Sequence, residues 1–131
     1  MTIKGKFKVD VFDCTIHITI AKSIKNSVNY YLRQTGHEGS DLIDFEPSGF
    51  FCNPHSERIG NYFIFFNEED ITIDVINHEK SHLVEQILTD RDIKPKDEIR
   101  SYLDGYVSRM IDLFFRKRKI KIKNKRDNRP C

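Results

Sequence analysis

Hydrophobic and polar positions alternate at the start of the chain and change period partway along. In Lys6–Val11, Phe7, Val9 and Val11 share one face, and in Thr15–Ile20, Ile16, Ile18 and Ile20 do the same. A period of two predicts two strands, joined as a hairpin. From Ala21 the period becomes helical: Ile24, Val28 and Leu32 recur at spacings of four, and Gly36 follows as a C-cap, so a first helix is expected over 21–36. The stretch 37–60 is rich in Gly, Pro, Ser and charge and reads as a long irregular connection, with a short strand near Phe50 to Cys52. "NYFIFF", from Asn61, reads as a buried or edge strand.

A second helix is expected from about Asp70, which could serve as its N-cap with Glu68 and Glu69 at the positive end. Ile71, Val75, His78, His82 and Glu85 fall along one stripe of it. "DIKPKDE" interrupts the pattern; Pro95 suits the first turn of a third helix, with Asp97 and Glu98 beside it. There Ile99, Tyr102, Leu103, Tyr106, Val107, Met110, Ile111 and Phe114 form the clearest amphipathic stripe in the chain. The order strand, strand, helix, loop, strand, helix, helix predicts an α+β fold.

The length of 131 residues accommodates one domain, expected over 1–115. The formal charge of +2 conceals an asymmetry. From Arg116 to Cys131, nine Lys/Arg stand against one Asp, a net of +8, so the remainder carries −6. This basic C-terminal tail, 116–131, could attract nucleic acid or another polyanion, or serve only as a solubilising end. No apolar run is long enough to cross a bilayer, and the N-terminus has no secretory signal pattern. Cys14, Cys52 and Cys131 are odd in number and far apart, which argues against both a disulfide framework and a cysteine zinc site. A reducing, cytoplasmic setting is the expectation.

The candidate chemistry lies in "INHEKSHLVEQ", residues 76–86. Residues four apart face the same way on a helix, so His78 and His82 can offer imidazole nitrogens to one zinc ion. Glu79 is then placed to act as general base on a metal-activated water. Of the carboxylates that could complete the ligand set, Glu98 is preferred, because it opens the next helix after a reversal. Its alternative role is to interact with the helix dipole. Glu85, Asp90, Asp92, Asp97 and Asp104 are further candidates; His17, His37 and His55 each stand alone on a strand or loop. A polar stripe on a helix held by Ile76, Leu83 and Ile87 is the alternative to a metal site altogether.

"INHEKSHLVEQIL" followed by "KDEIRSYLDGYVSRMI" resembles the zincin metallopeptidases, in particular compact zincin-like proteins of bacteriophages and prophages whose third ligand is a glutamate. The second piece is similar to their pattern E-x-x-x-Y-L-x-G-Y-L. The resemblance covers about the last half of the chain, to Phe115. It implies a minimal zincin-like fold, with a small, mainly antiparallel sheet packed on the H-E-x-x-H helix and a C-terminal helix. It also implies His78, His82 and Glu98 as zinc ligands and Glu79 as the base in peptide hydrolysis, with Tyr102 and Tyr106 as packing residues or an oxyanion donor. The departures are Lys80, where the motif is commonly apolar, and Asn77 before the first histidine. The expected substrate is a peptide lying along an edge strand, for which "NYFIFF" is the candidate, with the loop 37–51 or a partner as the far wall of the cleft. The second functional expectation is a weakly active or inactive assembly module of a virion or other complex, partnered by other subunits.

Overall fold

The computed structural model describes residues 2–52, 60–94 and 97–123. Four strands form one sheet in the order β1-β2-β4-β3: β1 is Ile3–Val9, β2 Cys14–Ala21, β3 Gly49–Cys52 and β4 Asn61–Asn67. Helix α1 spans Lys25–Gln34, α2 Ile73–Asp90 and α3 Asp97–Lys117. The arrangement is α+β, as the order of periodicities predicts. Two of the three strand pairings, β1 with β2 and β3 with β4, are antiparallel. β2 and β4 pair in parallel, with α1 and the loop after it in the connection between them.

Alternation along the strands divides the core in two. On one face Phe7 and Val9 of β1, Ile16, Ile18 and Ile20 of β2, and Tyr62, Ile64 and Phe66 of β4 meet Leu83, Ile87 and Leu88 of α2 and Leu103, Val107, Ile111 and Phe115 of α3. On the other face Phe65 and Cys52 pack with Ala21, Ile24 and Val28. The α1 layer covers this side only in part. At Gly5 the close approach has a plain cause: a Cβ there would lie 2.2 Å from the ring of Phe114, so α3 reaches β1 only because the residue is glycine.

"NYFIFF" is buried on both sides because β4 runs between β2 and β3, which corrects its candidacy as the edge. The edge beside α2 is β3. A four-residue strand leaves little alternating pattern to detect, and a parallel pairing across more than forty residues leaves none in the local sequence.

The start of α2 differs from expectation by two residues. Glu68–Asp70 forms a 3₁₀ turn capped by the Asn67 side chain, and Thr72 is the N-cap of α2, its Oγ1 accepting from Val75 N at 3.1 Å. Pro95 lies outside the described residues, as do His55 and 124–131. The first part of the basic segment is docked: Ile120 and Ile122 pack on the core, and Lys123 N donates to Ile71 O at 2.7 Å. Packing therefore continues past Phe115, the expected end of the domain. No helix among the described residues is long and apolar enough to cross a membrane.

Candidate metal centre

Helix α2 brings three predicted site residues together. His78 and His82 lie on its open side, one turn apart, and their Nε2 atoms are 3.2 Å from each other. The rings meet nearly at right angles, with centroids 4.7 Å apart. Two nitrogens bound to one tetrahedral zinc at ordinary bond lengths would stand about 3.3 Å apart. The imidazole spacing matches that of two zinc ligands; in the metal-free chain the same two nitrogens hydrogen-bond to each other, through a proton that an ion would replace.

Glu79, one position on, turns about 100° towards β3. It is only 2% exposed, and its Oε2 has no hydrogen-bond partner. Ligand atoms of His78, Glu79 and His82 all lie within 4.8 Å of one another. Gly49, the first residue of β3, makes room for the carboxyl: a Cβ there would stand 2.8 Å from Glu79 Cγ and 3.1 Å from its Oε2. Burial pushes Glu79 from the ordinary carboxylate value of 4.5 up to about 7. Leaving a carboxyl buried and unpartnered is costly. The two imidazoles are a donor pair suited to a cation, and the unpartnered Oε2 of Glu79 stands beside them.

Glu98 is not in this group. It is exposed and lines a separate apolar depression of about 360 Å³ with Val11, Phe12, Ile93, Ile99 and Tyr102. The reason is the register of the two helices. Glu85 pairs with Arg100, and Lys80 with Asp104 and Ser108, so the chains run antiparallel. The first turn of α3 thus lies alongside the end of α2, beyond His82. These same contacts explain Lys80, whose departure from the motif fits a polar clasp between helices rather than an exposed face.

Of the other candidates, the Asp97 side chain lies outside the described residues, and the rest stand elsewhere. Asp90 accepts from Tyr62 Oη at 2.6 Å and from Gln86 at 2.7 Å. His17 meets the Asn61 side chain at 3.0 Å and stacks on Phe63, and His37 faces Asp41 at 3.9 Å. Asp92 sits at a left-handed turn, with φ 53°. Tyr102 lines the depression beside Glu98, and Tyr106 Oη donates to Lys8 O at 2.8 Å. Cys14 and Cys52 are buried free thiols, pushed up to about 11 and about 12 by burial.

Of the loop 37–51, only its end reaches the site, through Gly49. Its middle is tied to α1 instead: Asn29 exchanges two hydrogen bonds with Ile43, at 2.8 and 2.9 Å, and Glu46 accepts from Ser23 Oγ and Ile24 N. Gly49 is a site residue that sequence reasoning misses. Its signal, a glycine opening an apolar run, is common to many turns.

Comparison of the chain with family models, with curated proteins and with solved structures found no match.

Proposed function

We propose that this chain is a zinc-dependent peptidase whose centre is His78, His82 and Glu79. The observation that carries the reading is the buried, unpartnered carboxyl of Glu79 beside two imidazole nitrogens at zinc-binding separation. When bound, zinc would supply a Lewis acid that lowers the pKa of a water and polarises a carbonyl oxygen. His78 and His82 would hold it. Glu79, with a proton affinity near neutrality, is suited to take a proton from the attacking water and release it to the leaving amine nitrogen as the peptide C–N bond breaks. The products are one carboxylate and one amine, and Glu79 returns to its starting state.

The substrate strand would add to β3, the sheet edge that begins over Glu79 at Gly49. Main-chain hydrogen bonds would hold it extended, about 4.8 Å from β3. With α1 and the preceding loop on the far side of the sheet, the cleft is shallow on this side. Other subunits of a phage or comparable assembly could supply its second wall.

A second reading, a module that keeps this fold for assembly rather than hydrolysis, is favoured by the apolar depression around Val11, Ile99 and Tyr102, of which Val11 and Tyr102 are well exposed. Incubation of the zinc-loaded chain with a fluorogenic peptide library separates the two. Cleavage by the wild type, and none by a metal-retaining Glu79→Gln variant, is the peptidase result. Equal cleavage by both would remove Glu79 as the base. No cleavage by zinc-loaded wild type would favour the assembly reading.

A further inference from the structure

The face of the sheet away from α2 and α3 carries a second feature. Between α1 and the β1–β2 half of the sheet lies an open groove of about 750 Å³, lined in part by Lys4, His17, Tyr30, Tyr31, Arg33 and Phe63. That volume is within the range of ligand sites. Its lining includes no Asp or Glu. His17 lies flat on Phe63, with centroids 4.5 Å apart and planes 9° from parallel, and Tyr31 packs against the same ring at 4.2 Å. Tyr30, on the α1 wall, is 62% exposed. The Tyr30 ring is therefore open beside cationic groups, with the partly exposed His17 stacked over Phe63 in the same groove.

The charge extends beyond the groove. In the β1–β2 register Lys4, Lys6 and Lys8 stand opposite Thr19, His17 and Thr15, so all three lysines project from the groove's face. Strand residues two apart are separated by about 6.7 Å, so the row covers about 13 Å. Among the described residues no carboxylate pairs with Lys4, Lys6, Lys8 or Arg33. Lysines on an edge strand also discourage strand pairing between molecules. That explanation does not extend to Arg33 and Tyr30, which come from α1.

We propose that this groove binds single-stranded nucleic acid, with bases stacking on Tyr30 and on the side of His17 away from Phe63, and phosphates following Arg33, Lys4 and the lysine row. Aromatic platforms inside a cationic channel are what such ligands require. The row is longer than one nucleotide needs, which selects a strand over a free nucleotide. A rigid duplex would present phosphates but keep its bases stacked away from Tyr30. The groove is on the opposite face of the sheet from α2, so the proposal is independent of the metal centre and of the docked segment 120–123.

The test is fluorescence anisotropy of full-length protein with a labelled oligothymidine of about twelve nucleotides, a length such sites cover. Tyr30→Ala should weaken binding roughly tenfold. Lys4→Glu with Arg33→Glu should weaken it at least as much and flatten the salt dependence by about 0.7 in log–log slope for each phosphate no longer neutralised. The positions carrying these changes are solvent-facing, and unchanged thermal unfolding would confirm that the fold is retained. His78→Ala should bind as wild type does. Wild-type affinity in both groove variants would overturn the proposal and assign binding to the tail. So would equal binding of duplex DNA with no effect of Tyr30→Ala, or competition by thymidine monophosphate at concentrations comparable to the strand.

Discussion

Glu79 and Glu98 are two carboxylates on neighbouring antiparallel helices, and the contrast between them shows what a motif can and cannot determine. Glu79 is inside the protein, pressed against the edge strand at Gly49, without a hydrogen-bond partner at Oε2. Glu98 is at the surface, on the rim of an apolar depression. Both stand at positions where the resemblance to zincins expects function. Only the first owes its nearness to His78 to local helix geometry: a residue adjacent in sequence stays within a few ångströms of it, whatever buries it. The second depends on how far α3 slides along α2, which is set by Lys80, Asp104, Ser108, Glu85 and Arg100.

The sharpest way to break this contrast is to neutralise the buried member. Glu79→Gln keeps the shape and removes the proposed base, and the loss of peptide hydrolysis expected on that proposal is about a thousandfold with zinc retained, measured as initial rate on the same library. A loss below about tenfold would place the proton transfer elsewhere.

The same residue predicts a pH dependence of folding. Metal-free native protein keeps the Glu79 proton up to about pH 7, whereas an unperturbed carboxyl releases it near 4.5. Between those values the native state binds more protons than the unfolded chain, so stability falls as pH rises, by as much as about 3 kcal/mol in order of magnitude. Urea denaturation across this window should show the fall attributable to Glu79 in wild type and its loss in Glu79→Gln. An identical slope in both would mean that the carboxyl is not held neutral by burial.

Gly49→Ala approaches Glu79 from the strand side. The added methyl would sit 2.8 Å from Glu79 Cγ and 2.9 Å from Val75 Cγ1, so the expected cost is about 2 kcal/mol, read from denaturation, with a displaced carboxyl. Wild-type stability in this variant would show that β3 is free to move off α2.

The smallest expected effect is at Glu98. Glu98→Ala should change zinc affinity by less than about threefold, by isothermal titration, because the side chain is not among the group at His78 and His82. A hundredfold loss would mean that α3 shifts along α2 when the ion binds.

Much of the fold is legible in the chain because it is local. Period-two alternation in Phe7, Val9, Ile16, Ile18 and Ile20 and the helical spacing from Ile99 to Phe114 identify elements that exist, although β1 runs Ile3–Val9 and Val11, expected on its inner face, stands 70% exposed in the 3₁₀ turn that follows. The pairing of His78 with His82 follows from one helical turn. What is not legible depends on residues distant in sequence. The parallel pairing of β4 with β2 makes "NYFIFF" central, and β3 is too short to announce itself as the edge. Asp70 and Thr72 are both good caps, and only tertiary placement makes Thr72 the one used. A glutamate in a polar stretch gives no sign of being buried; Glu79 is, because a glycine two elements earlier leaves space for it. The isoleucines of "KIKIK" read as part of a charged tail, yet Ile120 and Ile122 cover the core.

The most direct test of the metal centre is zinc titration of metal-stripped, full-length protein, wild type beside His82→Ala. One ion per chain is expected for the wild type, and affinity lower by about a hundredfold or more in the variant, since one of two imidazoles 3.2 Å apart is removed. Equal affinity in both proteins, or no saturable binding by the wild type, would contradict the metal centre and leave His78, Glu79 and His82 as neighbours without a shared ligand.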